Sequence, residues 1–378
     1  MKNVFKINLV LVIFIIFCSS AKCENNISQE IYESQLKSSR ASELQKSLPD
    51  EALDILKKIG ITNIDWKNIA KIDVQKIFEE VASNGSKKFI SVFSSAAAVV
   101  GILIICAAIK NFSLQKNGEQ IEAISNCLCS LCLCRFTIFP ISKCLSASKL
   151  LITSAANFVI SLSSIMAGFM AASGRTISAS AYHCWVLIAG ELLSRFLSDA
   201  IIPILNVIFG ISLISSISQQ INLEQLCKAI HKSIQIFLKF FAGFFVGILT
   251  LQNIITDSAD NFGASSVKFM LDNCIPIVGG AISDAFGTIK GCLSLLKSSV
   301  GAFGILAGLA MFLPIFAECM AWIVFLNLCK FLSNTFELKK SSLLLSSVAE
   351  TVKTLIAILA CTVVILISSA GIIMVLGG

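Results

Sequence analysis

The sequence predicts an all-α polytopic membrane protein, and three observations carry that prediction. Of 378 residues, 56% are hydrophobic and 14% are charged, against roughly a quarter charged in an ordinary soluble domain. The mean hydropathy is +0.84, so the apolar excess is general, and lipid accommodates it better than any single core. The apolar runs are continuous, with no alternation at every second residue, which selects helices over a barrel. The aromatic residues agree: 27 Phe stand against 3 Trp and 2 Tyr, and phenylalanine sits in hydrocarbon with no polar atom to satisfy. The net charge of +7 is spread over the ends of apolar runs instead of forming a patch. The basic residues therefore read as topology signals, and no nucleic acid is expected.

The elements follow in order. Met1 to about Ala21 carries Lys2 and Lys6, an apolar run from Ile7 to Phe17, and small residues at Ser19 and Ala21. That is the pattern of a signal peptide over 1–21; an uncleaved anchor also fits, and the small residues favour cleavage. From Lys22 to Lys88 there are 11 basic and 11 acidic residues and no apolar run long enough to span, so 22–88 is expected as an extracytoplasmic helical segment. Pro49-Asp50-Glu51 opens one helical pattern with Leu53, Leu56 and Ile59 on a side, stopped by Gly60. A second runs from about Asp65 through Ile69, Ile77, Phe78 and Val81.

Residues 89–378 are expected to form the polytopic transmembrane domain. Phe89 to Ile109 gives 21 uncharged residues, about 30 Å of helix and one crossing. Further runs lie at 121–142, interrupted by Arg135, then at 150–172, 176–190, 200–218 and 240–256. The last lie at 298–317, 319–336, broken by Lys330, and 354–376. The count is seven to nine spans. An export signal places Lys110 and Lys116 in the cytoplasm, with Lys228, His231, Lys232 and Lys239, and places Asp257 and Asp260 outside. Lys339, Lys340 and Lys353 also prefer the cytoplasm, which this count does not satisfy.

Charges inside such runs are costly unless paired, snorkelling or facing a cavity. Glu191, Arg195 and Asp199 stand at i, i+4 and i+8 on one helical face with compensating signs. They read either as the polar lining of a conduit or as a paired stripe on an interfacial helix. The 15 cysteines lie mostly in apolar stretches, where a thiol behaves as a small hydrophobe. Cys127, Cys129, Cys132 and Cys134 have metal-like spacing, but a helix turns Cys127 and Cys134 one way and Cys129 and Cys132 the other. His183 and His231 have no third ligand near them in sequence. No metal, cofactor or catalytic group is expected.

The most unusual stretch is Lys268 to Ile305. Pro276, Gly279 and Gly280 would break a helix half-way, and the apolar run there is too short to cross. A broken or re-entrant helix near 273–283, covered by protein or lining water, fits; an interfacial loop is the alternative. Gly301, Gly304 and Gly308 suggest a close helix contact in the next span.

Two motifs point to a family. They are F-M-A-A-S-G from Phe169, followed by Ser178-Ala179-Ser180, and K-F-M-L-D-N-C-I-P-I-V-G-G-A-I-S-D-A from Lys268. With them the chain resembles the stage III sporulation protein AE family of endospore-forming bacteria, from about Phe89 to the end and most strongly between Asp257 and Ile305. The resemblance implies a multi-pass subunit of the channel joining mother cell and forespore, in the mother-cell membrane around the forespore. It implies partners: other membrane proteins of the same sporulation complex, a separate ATPase and a forespore membrane partner. Asp272, Pro276, Gly279, Gly280 and Asp284 match the family pattern, and a structural or conduit role for them is our inference. The chain has no G-x-x-x-x-G-K-[ST] to supply its own nucleotide chemistry, so the leading reading is a non-enzymatic, export-gate-like or scaffold subunit. A secondary transporter or permease for a small solute is the alternative, supported by the broken segment and the polar stripe. An intramembrane protease or transferase using Asp272 and Asp284 is a third, but their spacing fixes no catalytic pair.

Overall fold

A computed structural model of the chain describes residues 36, 43–61, 64, 90, 92–93, 95, 97–110, 119–217, 224–274 and 279–376. The export signal and the helix expected from Asp65 lie outside them. The described residues are helical, with short turns and no strand. In the leader, α1 is Glu43–Lys46 and α2 is Asp50–Lys58, which begins where Pro49 sets the entry and buries Ala52, Ile55 and Leu56. Gly60, at φ +93°, then ends α2 as the sequence predicts, and the Ile61 N–H closes the turn on the Leu56 carbonyl at 2.9 Å.

In the membrane part the first continuously described helix is α3, Ala97–Lys110, and residues 90, 92, 93 and 95 before it are helical as well. It continues through α4 (Glu119–Ala172), α5 (Thr176–Leu192), a wider π-helical segment (Leu193–Ile201) and α6 (Ile202–Ile217). Then come α7 (Glu224–Cys274), α8 (Gly279–Thr335) and α9 (Lys339–Leu376). Among the described residues five helical stretches are long and apolar enough to cross a membrane, where the sequence counts seven to nine. The numbers differ because pairs of expected spans run on without a break. The runs at 121–142 and 150–172 share α4, those from Thr176 and from Ala200 share the stretch α5 to α6, and those on either side of Glu318 share α8. Lysine and glutamate between apolar runs are good helix formers, so charge ends a hydropathy window without ending a helix. Pro140 and Pro314 also lie inside α4 and α8, each removing one backbone hydrogen bond.

The result is a bundle of unusual length. At 1.5 Å per residue the 54 residues of α4 extend about 81 Å, more than twice a hydrocarbon core of about 30 Å. α9 packs against α4, α6, α7 and α8, and these four also touch in turn, so they ring it. Side-chain hydroxyls inside the bundle bond back to their own helices. Thr137 reaches the Leu133 carbonyl at 2.8 Å, Ser148 that of Cys144 at 2.7 Å and Thr362 that of Ile358 at 3.1 Å, which satisfies them without a partner helix.

Two turns define the ends. α4 stops at Gly174, φ +85°, where the Arg175 N–H meets the Met170 carbonyl at 3.0 Å, and the chain reverses into α5. α8 stops the same way at Glu337, φ 53°, where the Leu338 N–H meets the Ser333 carbonyl at 2.8 Å. Lys110 donates to the Glu337 carbonyl at 3.0 Å and pairs with its carboxylate at 3.5 Å. That contact brings Lys110, Lys339 and Lys340 to one end of the bundle. Lys110 and the Lys339–Lys340 pair, all expected on the cytoplasmic side, therefore stand close together.

Candidate functional site

The polar stripe falls on the π-helical segment and its entrance. Glu191, near the end of α5, binds Arg195 Nε through Oε2 at 2.8 Å. Asp199 Oδ1 takes Lys149 Nζ of α4 at 3.1 Å and the Ser198 hydroxyl at 3.0 Å, and Ser198 in turn meets Thr153 at 3.3 Å. The segment buries Leu193, Leu197, Ser198 and Ile201 on its inner side. The charged side chains point the other way: Arg195 is 82% exposed and Glu191 59%. Of the two readings, the stripe inside this chain is a paired outer face.

The second set of expected residues is placed by backbone alone. α7 is described to Cys274 and α8 from Gly279, and the break that the sequence predicts between them falls on residues 275–278, outside the described residues. Asp272 lies in the last turn of α7, Gly279 and Gly280 open α8, and Asp284 follows in its second turn. Pro276 lies outside the described residues.

The glycines of α8 are the best-defined contact. A Cβ at Gly301 would meet Met374 at 2.6 Å and Met166 at 3.0 Å, one at Gly304 would meet Leu162 at 2.6 Å, and one at Gly308 would collide with Leu366. The three glycines seat α4 on one side and α9 on the other, as the spacing suggests. Gly190 does the same for α5, where a Cβ would meet Ile160 at 2.7 Å.

Several polar contacts are absent from the sequence reading. Asp260 of α7, 5% exposed, accepts the Ile177 N–H at 3.2 Å and the Ser178 N–H at 2.8 Å. It thereby caps α5, whose own N-cap position makes no side-chain bond. This joins the region around Asp257 to the Ser178-Ala179-Ser180 motif. Gln235 donates to Thr354 Oγ1 at 3.0 Å, His231 Nδ1 lies 3.0 Å from the same oxygen, and Thr354 donates to the Glu350 carbonyl at 2.9 Å. The Thr354 proton is used, so His231 carries its proton on Nδ1 and leaves Nε2 as a buried acceptor without a partner among the described residues. His183 Nδ1 lies 3.1 Å from the Ser163 hydroxyl. Cys144 donates to Glu318 at 3.2 Å across α4 and α8. Cys129 and Cys134 are buried and Cys132 is exposed; the Cys127 side chain lies outside the described residues. Among the described residues no group of three His, Cys, Asp or Glu stands close enough to hold a metal. A sequence signal for the Asp260 cap does exist, an acidic residue at the end of an apolar run, but it cannot say which helix receives it.

Comparison with known proteins fits this geometry to a family. The family model described as stage III sporulation protein AE matches residues 61–377. A curated relative, stage III sporulation protein AE of Bacillus subtilis (strain 168), is 22% identical over 232 residues, 61% of this chain and 55% of the relative. The aligned part thus spans about half the length of that protein. No solved structure matches. The family match takes in the glycine seat and the Asp260 cap, and this multi-pass helical chain belongs to the stage III sporulation protein AE family.

Proposed function

We propose that the chain is the membrane-embedded subunit of a specialised secretion-like channel joining mother cell and forespore, required for forespore development after engulfment. The observation that carries this reading is the family match over 61–377. The long apolar bundle, with no nucleotide-binding loop in the sequence, supports a subunit without chemistry of its own. Its partners are then other membrane proteins of the sporulation complex, a separate ATPase and a forespore membrane protein, and its place is the mother-cell membrane around the forespore. In this reading Asp272, Pro276, Gly279, Gly280 and Asp284, which match the family pattern, have a structural or conduit role between the end of α7 and the start of α8. Glu191, Arg195 and Asp199 face away from the chain, so a conduit that they line is one formed between chains.

The test is made in the sporulating cell. Replacing Gly279 and Gly280 together by leucine should leave the protein in the membrane and arrest the forespore after engulfment, as deletion of the whole chain would. Sporulation of the double variant at the parental level would remove the segment from the mechanism, and sporulation of the deletion strain would remove the function. Orientation is read separately: a cysteine near Gln45 should react with an impermeant maleimide from outside and one near Lys116 should not.

A further inference from the structure

α7 is built in two unlike halves. The first is fastened to α9: Gln235 and His231 both reach Thr354 at 3.0 Å, and Cys361 donates to the Leu238 carbonyl at 3.6 Å. Gly243 and Gly247 follow, one turn apart and both exposed, and a Cβ at either would meet nothing within 4 Å. Glycine at such positions fills no contact and leaves the backbone freer to bend. Beyond them Leu251, Ile254 and Ile255 point outward, and at Asp260 the helix is tied down again by the two N–H groups that open α5. A buried carboxylate on the positive end of another helix is a strong and specific tie. Between hinge and tie, Gln252 turns inward, and its Nε2 and Oε1 are both buried without a hydrogen-bond partner among the described residues. An orphaned buried amide opposes whatever position buries it.

We propose that the second half of α7 is a hinged arm, bending at Gly243 and Gly247 and latched by Asp260 on the first turn of α5. The latch favours the position seen and the buried Gln252 amide disfavours it, so the same segment carries two opposed terms, as a two-state element requires. A passive strut would need neither the unoccupied glycines nor the orphaned amide. The arm carries the end of α7.

Hydrogen exchange on the full chain in lipid nanodiscs tests this, read by mass spectrometry over 250–260 and over the first amides of α5. Asp260→Asn should raise exchange in both stretches on the order of tenfold, the size expected for losing one charged cap, with α8 unchanged. Gln252→Leu removes the opposing term and should slow exchange over 250–260 several-fold. It alters no latch atom, so it keeps the test decisive if Asp260→Asn inserts poorly. Gly243→Ala with Gly247→Ala should slow the same stretch, because alanine fits the open space and stiffens the helix. Unchanged exchange in Asp260→Asn, or equal loss of protection through α4 and α8, would overturn the latch. A Gln252→Leu variant that exchanges as fast as the parent would overturn the opposed pair.

Discussion

α7 and α8 are similar in length, 51 and 57 residues, and each holds a G-x-x-x-G pair, Gly243 with Gly247 and Gly304 with Gly308. Their surroundings are opposite. In the most apolar stretch of α8 61% is buried, and in that of α7 22%. Leu162, Met166, Leu366 and Met374 fill the space over Gly301, Gly304 and Gly308 of α8, while nothing lies within 4 Å of a Cβ at Gly243 or Gly247 of α7. A small residue therefore marks a helix contact only when a large side chain stands opposite it. Gly301, Gly304 and Gly308 are the floor of a packed groove; Gly243 and Gly247 thin a helix that is covered on one side.

The largest expected effect tests that contrast directly. Leu366 is 1% exposed and Leu162 0%, so neither can swing away from an added side chain. Gly308→Leu should then destabilise the bundle by about 1–3 kcal/mol or more, the range for overpacking a dense core. Gly243→Leu, built into open space, should stay within about 0.5 kcal/mol. Unfolding midpoints in one detergent compare the two, and equal midpoints would break the distinction between the helices. Gly301→Ala should fall between them, because the methionines facing Gly301 yield more readily than branched leucines.

The first half of α7 is fastened through Thr354, which links it to α9. Thr354→Val keeps the shape but leaves Gln235 and His231 without their shared oxygen. Two polar groups orphaned in a buried site should cost about 1–3 kcal/mol, with exchange rising over the first half of α7 before α8 responds. A variant as stable as the parent, with unchanged exchange at 224–240, would show that water replaces the lost contact.

How far the sequence discloses this arrangement differs by residue. Gly60 is legible as a helix stop because glycine relieves a left-handed backbone, and the α8 glycine seat is legible as a spacing. The all-helical class follows from composition alone. Span count is less accessible: Lys143 and Glu318 close hydropathy windows, yet both are comfortable inside α4 and α8. Glu337 is hidden for a related reason, since nothing in a glutamate announces a left-handed turn. The stripe at Glu191, Arg195 and Asp199 is visible as a periodicity, but which way it faces depends on α4 and α7, far away in sequence. Asp260 and His231 are visible only as charges near apolar ends, and their roles depend on Ser178 and Thr354.

Glu337 allows a smaller and opposite prediction. Its turn copies that of Gly174 with a residue that pays a steric penalty of roughly 1 kcal/mol or more in the left-handed region. Glu337→Gly relieves that penalty, and the lost carboxylate is 82% exposed at 3.5 Å from Lys110, a contact worth little in water. Lys110 keeps the carbonyl oxygen at 3.0 Å. The variant should therefore gain up to about 1 kcal/mol, read as a raised unfolding midpoint. A lowered midpoint would mean that the carboxylate anchors α3 to the α8–α9 turn.

The smallest effect belongs to the outer stripe. Lys149 and Asp199 lie 3.1 Å apart with side chains 46% and 58% exposed, and an exposed pair of this kind contributes only a small stabilisation after its side-chain entropy is lost. A double-mutant cycle, Lys149→Met with Asp199→Asn, should return a coupling near that size in detergent micelles, where water reaches both groups, and the coupling should shrink further in high salt. In a bilayer the outcome depends on depth. If the pair lies in hydrocarbon, removing one member leaves an uncompensated charge, and the single variants should each be far worse than the double. If it lies at the lipid surface, detergent and bilayer should agree. Singles much worse than the double would therefore place the π-helical segment inside the hydrocarbon and make its outward stripe a contact with another polar surface, whereas small additive effects would place the membrane boundary at Lys149.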